Sequence, residues 1–207
     1  MVKPKDFLTT EDRERVRAAI VESESKTSGE IRVLVVGRST PWSWLPGAIA
    51  GLAAGGATWA ALHAATWGHP DLVEGLISTA VALGVLLLGA CLIPPRRAAK
   101  KRGAWDRAKR EFSRLGMAKT KGATGVLLMI SLYEHEAIVL ADQAINDKVP
   151  PDTWSGEVKV LLDGIKAGRP ADGIVATVRE AGALLATHFP RKDDDSNELS
   201  DDVVIGR

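Results

Sequence analysis

Two long stretches of the chain are almost free of charge. Leu45 to Thr66 contains no Asp, Glu, Lys or Arg, and Leu72 to Ile93 contains only Glu74, near its start. As helices each would be about 33 Å long, matching a hydrocarbon core of roughly 30 Å. Between them Trp67, Gly68, His69, Pro70 and Asp71 form a Gly/Pro turn that permits only antiparallel neighbours. The pattern predicts a transmembrane helical hairpin within residues 41–95, with helices at about 45–66 and 72–93. A buried helix pair of a soluble domain would normally be shorter and keep a polar stripe.

The flanking regions alternate between helical and strand periodicity. Thr9 and Thr10 precede Glu11 and Asp12, a hydroxyl cap followed by acids at a helix start. Val16, Ala19, Ile20 and Ser23 share one face of that helix, with Arg13, Glu14, Arg15, Glu22 and Glu24 over the rest and Ser28-Gly29 as the stop. Ile31 to Val36 is nearly continuous in apolar residues, the mark of a strand buried on both faces. Trp105, Ala108, Phe112 and Leu115 mark another helix, ended by Gly116. Val126 to Leu132 and Ala137 to Leu140 read as a strand hairpin with a charged tip, Tyr133 to Glu136. Beyond Pro150 and Pro151, two further helices carry Trp154, Val158, Leu161, Leu162 and Ile165, then Ile174, Val178, Ala181 and Leu185. The tail from 191 to 207 is polar and acidic, with Val203, Val204 and Ile205 able to dock.

Two wholly apolar strands need a sheet covered on both faces, and Ile31 to Val36 cannot form one alone. Residues 1–40 and 96–190 should therefore fold together as one α/β domain interrupted by the hairpin.

Charge sets the expected topology. The net charge of +1, from 27 basic and 26 acidic residues, hides an asymmetry: residues 94–121 carry eleven Lys or Arg against two acids, and residues 131–207 eight against fifteen. Arg96, Arg97, Lys100, Lys101 and Arg102 follow the second apolar segment, Arg32 and Arg38 precede the first, and the turn has none. By the positive-inside rule both termini are expected in the cytoplasm of a multi-pass bacterial inner-membrane protein. Trp42, Trp44 and Trp67 would sit at the interfaces. The basic block would face the anionic headgroups of the lipid bilayer, so nucleic-acid binding is not required to explain it. Cys91 is the sole cysteine, which excludes a disulfide framework and a Cys/His metal set. The first 40 residues lack the apolar run of a signal peptide. Gly47, Gly51 and Gly55 form small-residue steps on one helix face, suited to close packing against Gly75 and Thr79 or Ala80 and Gly84, or against a second copy. Lone His63 reads as an interfacial hydrogen bonder rather than a proton carrier, and neither segment is lined for a pore.

Several short runs, taken together, resemble the TPM domain family. They are Ser28-Gly29-Glu30-Ile31, Thr124-Gly125-Val126-Leu127-Leu128, the Tyr133-Glu134-His135-Glu136 tip, and Ala141-Asp142 with Ile145. Trp154, His188-Phe189-Pro190 and Asn197-Glu198-Leu199 resemble its membrane-embedded bacterial branch. The resemblance covers residues 8 to 38 and about 104 to 205. It implies an α/β/α sandwich, and for some plant relatives a metal-assisted acid phosphatase activity. The chain departs from many relatives in placing its apolar segments inside the domain, and in having Ala141-Asp142-Gln143-Ala144 where a glycine-containing segment is usual.

Asp142, at a strand end, is the leading polar candidate, with Asp147 or Glu30 as companion oxygen ligands for Mg or Ca in phosphoryl hydrolysis. The simpler use of Asp142 is to cap the following helix. Glu134, His135 and Glu136 place an acid/base pair at a hairpin tip, where solvent would leave their pKa values unshifted. Asp193, Asp195 and Asn197 begin a calcium-loop pattern that fails at Glu198 and Val204. No nucleophile elbow, phosphate-binding glycine loop or zinc helix motif occurs. The expected function is a membrane-held, non-catalytic interaction or assembly module that binds another protein or itself. The alternative is a metal-dependent phosphatase.

Overall fold

The computed structural model describes residues 3–40, 45–65, 80–81, 83–85, 97–150, 152–192 and 197–206. They divide into two compact units, Met1–Ser39 with Lys101–Arg207, and Thr40–Lys100.

In the first unit, Thr9 caps α1 (Thr10–Glu24) through a reciprocal capping box with Asp12. Val16, Ala19, Ile20 and Ser23 are the buried face of α1. The strands are β1 (Glu30–Val36), β2 (Gly125–Ser131), β3 (Glu136–Ala141) and β4 (Val204–Gly206). They form one mixed sheet in the order β3-β2-β1-β4. β1 runs parallel to β2, Ile31 opposite Val126 and Val35 opposite Ile130, and parallel to β4. β3 returns antiparallel on β2.

Because side chains alternate across a sheet, the continuous apolar runs divide between two cores. Ile31, Val33, Val35, Val126, Leu128, Ile130, Val139 and Ala141 share one core with α1, α5 (Thr153–Lys166) and α6 (Pro170–His188). Leu34, Val36, Leu127, Met129 and Ile138 share the other with Ala104, Ala108 and Phe112 of α3 (Arg97–Arg114) and with Met117. The layers are helices, sheet, helix. Glycines set how closely the first helical layer packs: a Cβ on Gly164 of α5 would stand 2.6 Å from the Gly173 Cα of α6, and one on Gly182 of α6 would stand 2.5 Å from the Ser23 Cβ of α1.

The second unit corrects the expected transmembrane hairpin. Leu45–Ala65 is a helix, α2, of 21 residues. Yet among the described residues no helix is long and apolar enough to cross a membrane. Freedom from charge is not the same as apolarity. Ala and Gly dominate α2, and its large aliphatic residues are only Leu45, Ile49, Leu52 and Leu62. Since transfer free energy scales at about 0.8 kcal/mol per CH₂, such a helix gains far less from lipid than a Leu/Ile/Val helix of equal length. The transmembrane architecture and the multi-pass inner-membrane location with cytoplasmic termini rested on that hairpin and fall with it.

Gly47, Gly51 and Gly55 are all buried along α2, whereas Ile49, Leu52 and Trp59 are exposed. Of the second apolar segment only residues 80, 81 and 83–85 are described, and these are helical. Among the described residues, a Cβ on Gly84 would meet nothing within 4 Å. Trp42, Trp44, the turn from Trp67 to Asp71, Gly75, Thr79, Cys91, Asp193 and Asp195 lie outside the described residues.

Candidate functional site

The first unit concentrates its polar residues where β1 begins. Ser28 organises this region: its N–H donates to Phe189 O at 3.0 Å, its carbonyl accepts from Thr124 Oγ1 at 2.9 Å, and its Oγ accepts from Lys192 N–H at 3.2 Å. Thr27 donates its hydroxyl to Phe189 O at 2.6 Å and accepts from Gly29 N–H at 3.1 Å. A Cβ on Gly29 would stand 2.9 Å from Leu185 Cδ1, so the buried Leu185 side chain would have to shift to admit one. Glu30 is buried, and its Oε1 accepts from Glu198 N–H at 3.0 Å, while Glu198 Oε2 accepts from Lys121 N–H at 3.1 Å. The Asn197 side chain accepts from Leu199 N–H and donates to Asp201. The motifs Ser28-Gly29-Glu30, Thr124-Gly125, His188-Phe189-Pro190 and Asn197-Glu198-Leu199 thus converge at one end of the sheet, where they tie main-chain segments together.

Two cavities open there. The smaller, about 190 Å³, is lined by Glu24, Thr27, Glu30, Arg191 and Asn197 among others. The larger, about 500 Å³, runs over Ser28, Glu30, Thr124 and Phe189, with Lys121, Lys148, His188, Arg191, Lys192 and Glu198 also in its walls. Lys148 Nζ donates to His188 O and lies 4.3 Å from the Phe189 ring centroid.

Glu24, on the last turn of α1, was assigned by periodicity to the polar face. Its Oε1 accepts from Ile31 N–H at 2.7 Å. Burial, with the Glu30 and Asp201 carboxyls nearby, pushes its pKa up to about 8, although the bond from Ile31 opposes the shift. Nothing in the local sequence distinguishes it from Glu22, an exposed residue paired with Lys26 and Arg179.

The expected metal ligands have other roles. Asp142 is the N-cap of the short helix α4 (Gln143–Asn146), its Oδ1 accepting from Gln143 N–H at 2.7 Å. Its Oδ2 is buried without a hydrogen-bond partner among the described residues. Asp147 is the exposed residue that ends α4. Glu30 holds the Glu198 main chain. Among the described residues no three His, Cys, Asp or Glu side chains are grouped as a metal ion requires. The described residues therefore do not fit the Mg or Ca that the family resemblance implies.

The hairpin tip also differs from expectation, because Glu134 is buried. It accepts from Ser39 N–H at 2.9 Å and from Ser131 Oγ, which also shares a 2.7 Å hydrogen bond with Ser39 Oγ. His135 takes up φ 55°, the left-handed conformation that lets the chain reverse. Tyr133 lies under the Arg38 guanidinium, 4.1 Å from ring centroid to Cζ.

No family model matches the chain. No curated protein matches it. Among solved structures, the chain is similar to the BA42 protein of the psychrophilic bacterium Bizionia argentinensis, determined by NMR, with a TM-score of 0.63 and 25% sequence identity over 100% of both chains.

Proposed function

We propose that this chain is a non-catalytic binding module that docks another protein, or a second copy of itself, in the 500 Å³ cleft at the start of β1. One observation carries the reading. The cleft's carboxylates, Glu30 and Glu198, are each committed to a main-chain N–H, so they act as joints between segments rather than as a reactive pair. What the cleft offers a ligand is shape and hydrogen-bonding capacity, contributed by the loop before β2, by Lys148, and by the segment after α6. Such a surface, drawn from several loops on a rigid sheet, is a common basis of recognition.

The test sets binding against phosphoryl chemistry. The full chain, incubated with a phosphate ester and Mg²⁺ or Ca²⁺, is expected to show no hydrolysis above background. Metal-dependent turnover abolished by Asp142→Ala, and by Asp142→Asn, which keeps the helix cap, would overturn the reading in favour of a phosphatase.

A further inference from the structure

The basic residues of the large cleft hold it together with their main chains and leave their charges over. Lys121 gives its main-chain N–H to Glu198 Oε2 at 3.1 Å, Lys192 gives its own to Ser28 Oγ at 3.2 Å, and Arg191 donates likewise to Lys26 O at 3.3 Å. All three residues are exposed. Lys148 is placed differently: Nζ donates to His188 O at 3.2 Å and stands 4.3 Å from the Phe189 ring centroid, which fixes the ammonium at the cleft wall with donors to spare. Among the described residues none of these four side chains enters an ion pair, whereas Arg15, Arg17, Lys26 and Arg179 of the same unit all do. Against the four cations the described walls hold two carboxylates, Glu30 and Glu198, each already accepting a main-chain N–H. His188 is the remaining titratable side chain there.

We infer that the cleft docks an acidic segment of a partner protein, a stretch rich in Asp and Glu whose carboxylates meet Lys121, Lys148, Arg191 and Lys192. The inference rests on the docking reading above and gives the partner its chemistry. The four cations come from three separate segments, the loop before β2, the loop after α4 and the chain after α6, an arrangement suited to carboxylates spaced along a chain. Three of the four are lysines, flexible point charges rather than the paired guanidinium forks that grip a single phosphate in two places. A nucleic acid fits less well. One face of Phe189 is taken by Lys148, and Glu30 and Glu198 would oppose a continuous phosphate backbone. Because the charged ends stand in solvent, their attraction should speed association and weaken steeply with salt.

The probe is a fluorescent peptide of alternating Glu and Ser, titrated with the full chain and read by anisotropy beside matched peptides carrying Gln or Lys in place of Glu. The Glu peptide alone should bind, and its affinity should fall about tenfold or more as added salt shortens the screening length from about 30 Å to about 8 Å. Lys121→Glu with Lys192→Glu, which alters only the charged ends and keeps both main-chain bonds, should weaken binding at least about tenfold. Lys109→Glu with Arg110→Glu, exposed on the basic helix α3, should leave it unchanged. Equal binding of the Gln peptide, or a loss caused by the α3 pair and not by the cleft pair, would overturn the inference. So would displacement of the peptide by inorganic phosphate at matched ionic strength, or tighter binding of an oligothymidylate. A chain that sediments as a dimer at low salt, and as a monomer once Lys121→Glu and Lys192→Glu are introduced, would assign the cleft to a second copy instead. Crosslinking from position 148 in cells decides docking separately, so capture of a partner without binding of the Glu peptide would sink the acidic chemistry and leave the docking site standing.

Discussion

The Glu134 carboxylate accepts the main-chain N–H of Ser39 at 2.9 Å, so the tip of the β2–β3 hairpin grips the chain just after it leaves β1. Ser131 adds a hydroxyl to the same oxygen, and Leu132 and Tyr133 donate their N–H groups to Val36 and Gly37. Glu134→Ala would leave the Ser39 N–H buried without its acceptor and the Ser131 hydroxyl with only Ser39 Oγ as partner. It is expected to cost about 2–3 kcal/mol, and Glu134→Gln, which keeps one carbonyl acceptor, about 1 kcal/mol. Urea denaturation midpoints of the two variants would show this order.

Stability should fall as pH rises through the neutral range. The folded-state pKa of Glu24, about 8, lies above its ordinary value of 4.5, so between these values the folded chain binds more protons than the unfolded one. The slope of unfolding free energy against pH is therefore negative in that window. A shift of this size corresponds to about 5 kcal/mol as an upper bound. Thermal melts at pH 5.5 and 9 should differ in the unaltered chain and nearly coincide in Glu24→Gln.

Helix packing gives a second stability prediction. Gly164 and Gly173 bring α5 and α6 together backbone to backbone, so neither contact can yield by a side-chain rotation. Gly164→Ala should destabilise by about 2–3 kcal/mol through forced separation, despite alanine's better helix propensity. Gly156→Ala, where a Cβ would meet nothing within 4 Å, should be neutral or slightly stabilising. Chemical denaturation of the pair separates packing from propensity.

Asp142 tests capping against ligation. Asp142→Ala should cost about 1 kcal/mol by removing the cap of α4, while Asp142→Asn, an equally good cap, should be close to neutral. Neither change should alter the melting temperature increment on adding Ca²⁺ or Mg²⁺. A metal-induced increment lost in both variants would show ligation instead.

The sheet and its helices were legible because burial on two faces leaves a mark in composition. Ile31 to Val36 and Val126 to Leu132 show no polar alternation, and each divides its side chains between the two cores. β4 was not legible as a strand, since three residues in an acidic tail carry too little pattern. The Leu45–Ala65 segment misleads because freedom from charge is not lipid compatibility, and its Ala and Gly contribute little transfer free energy; most of the second segment lies outside the described residues. At the site, Ser28-Gly29-Glu30 was visible as a motif but not as a joint. Glu24 and Glu134 were missed because their surroundings come from segments distant in sequence, Arg191 and Asn197 beside the one and Ser39 beside the other.

The binding reading is tested most directly by photocrosslinking from within the cleft. A photoreactive phenylalanine analogue in place of Lys148, in the full chain expressed in cells, should capture one discrete species, a partner protein or a second copy. The same capture should fail in a Lys121→Glu background, and fail when the analogue replaces exposed Val160 on α5. Capture at position 148 no greater than at position 160 would contradict the cleft as the docking site.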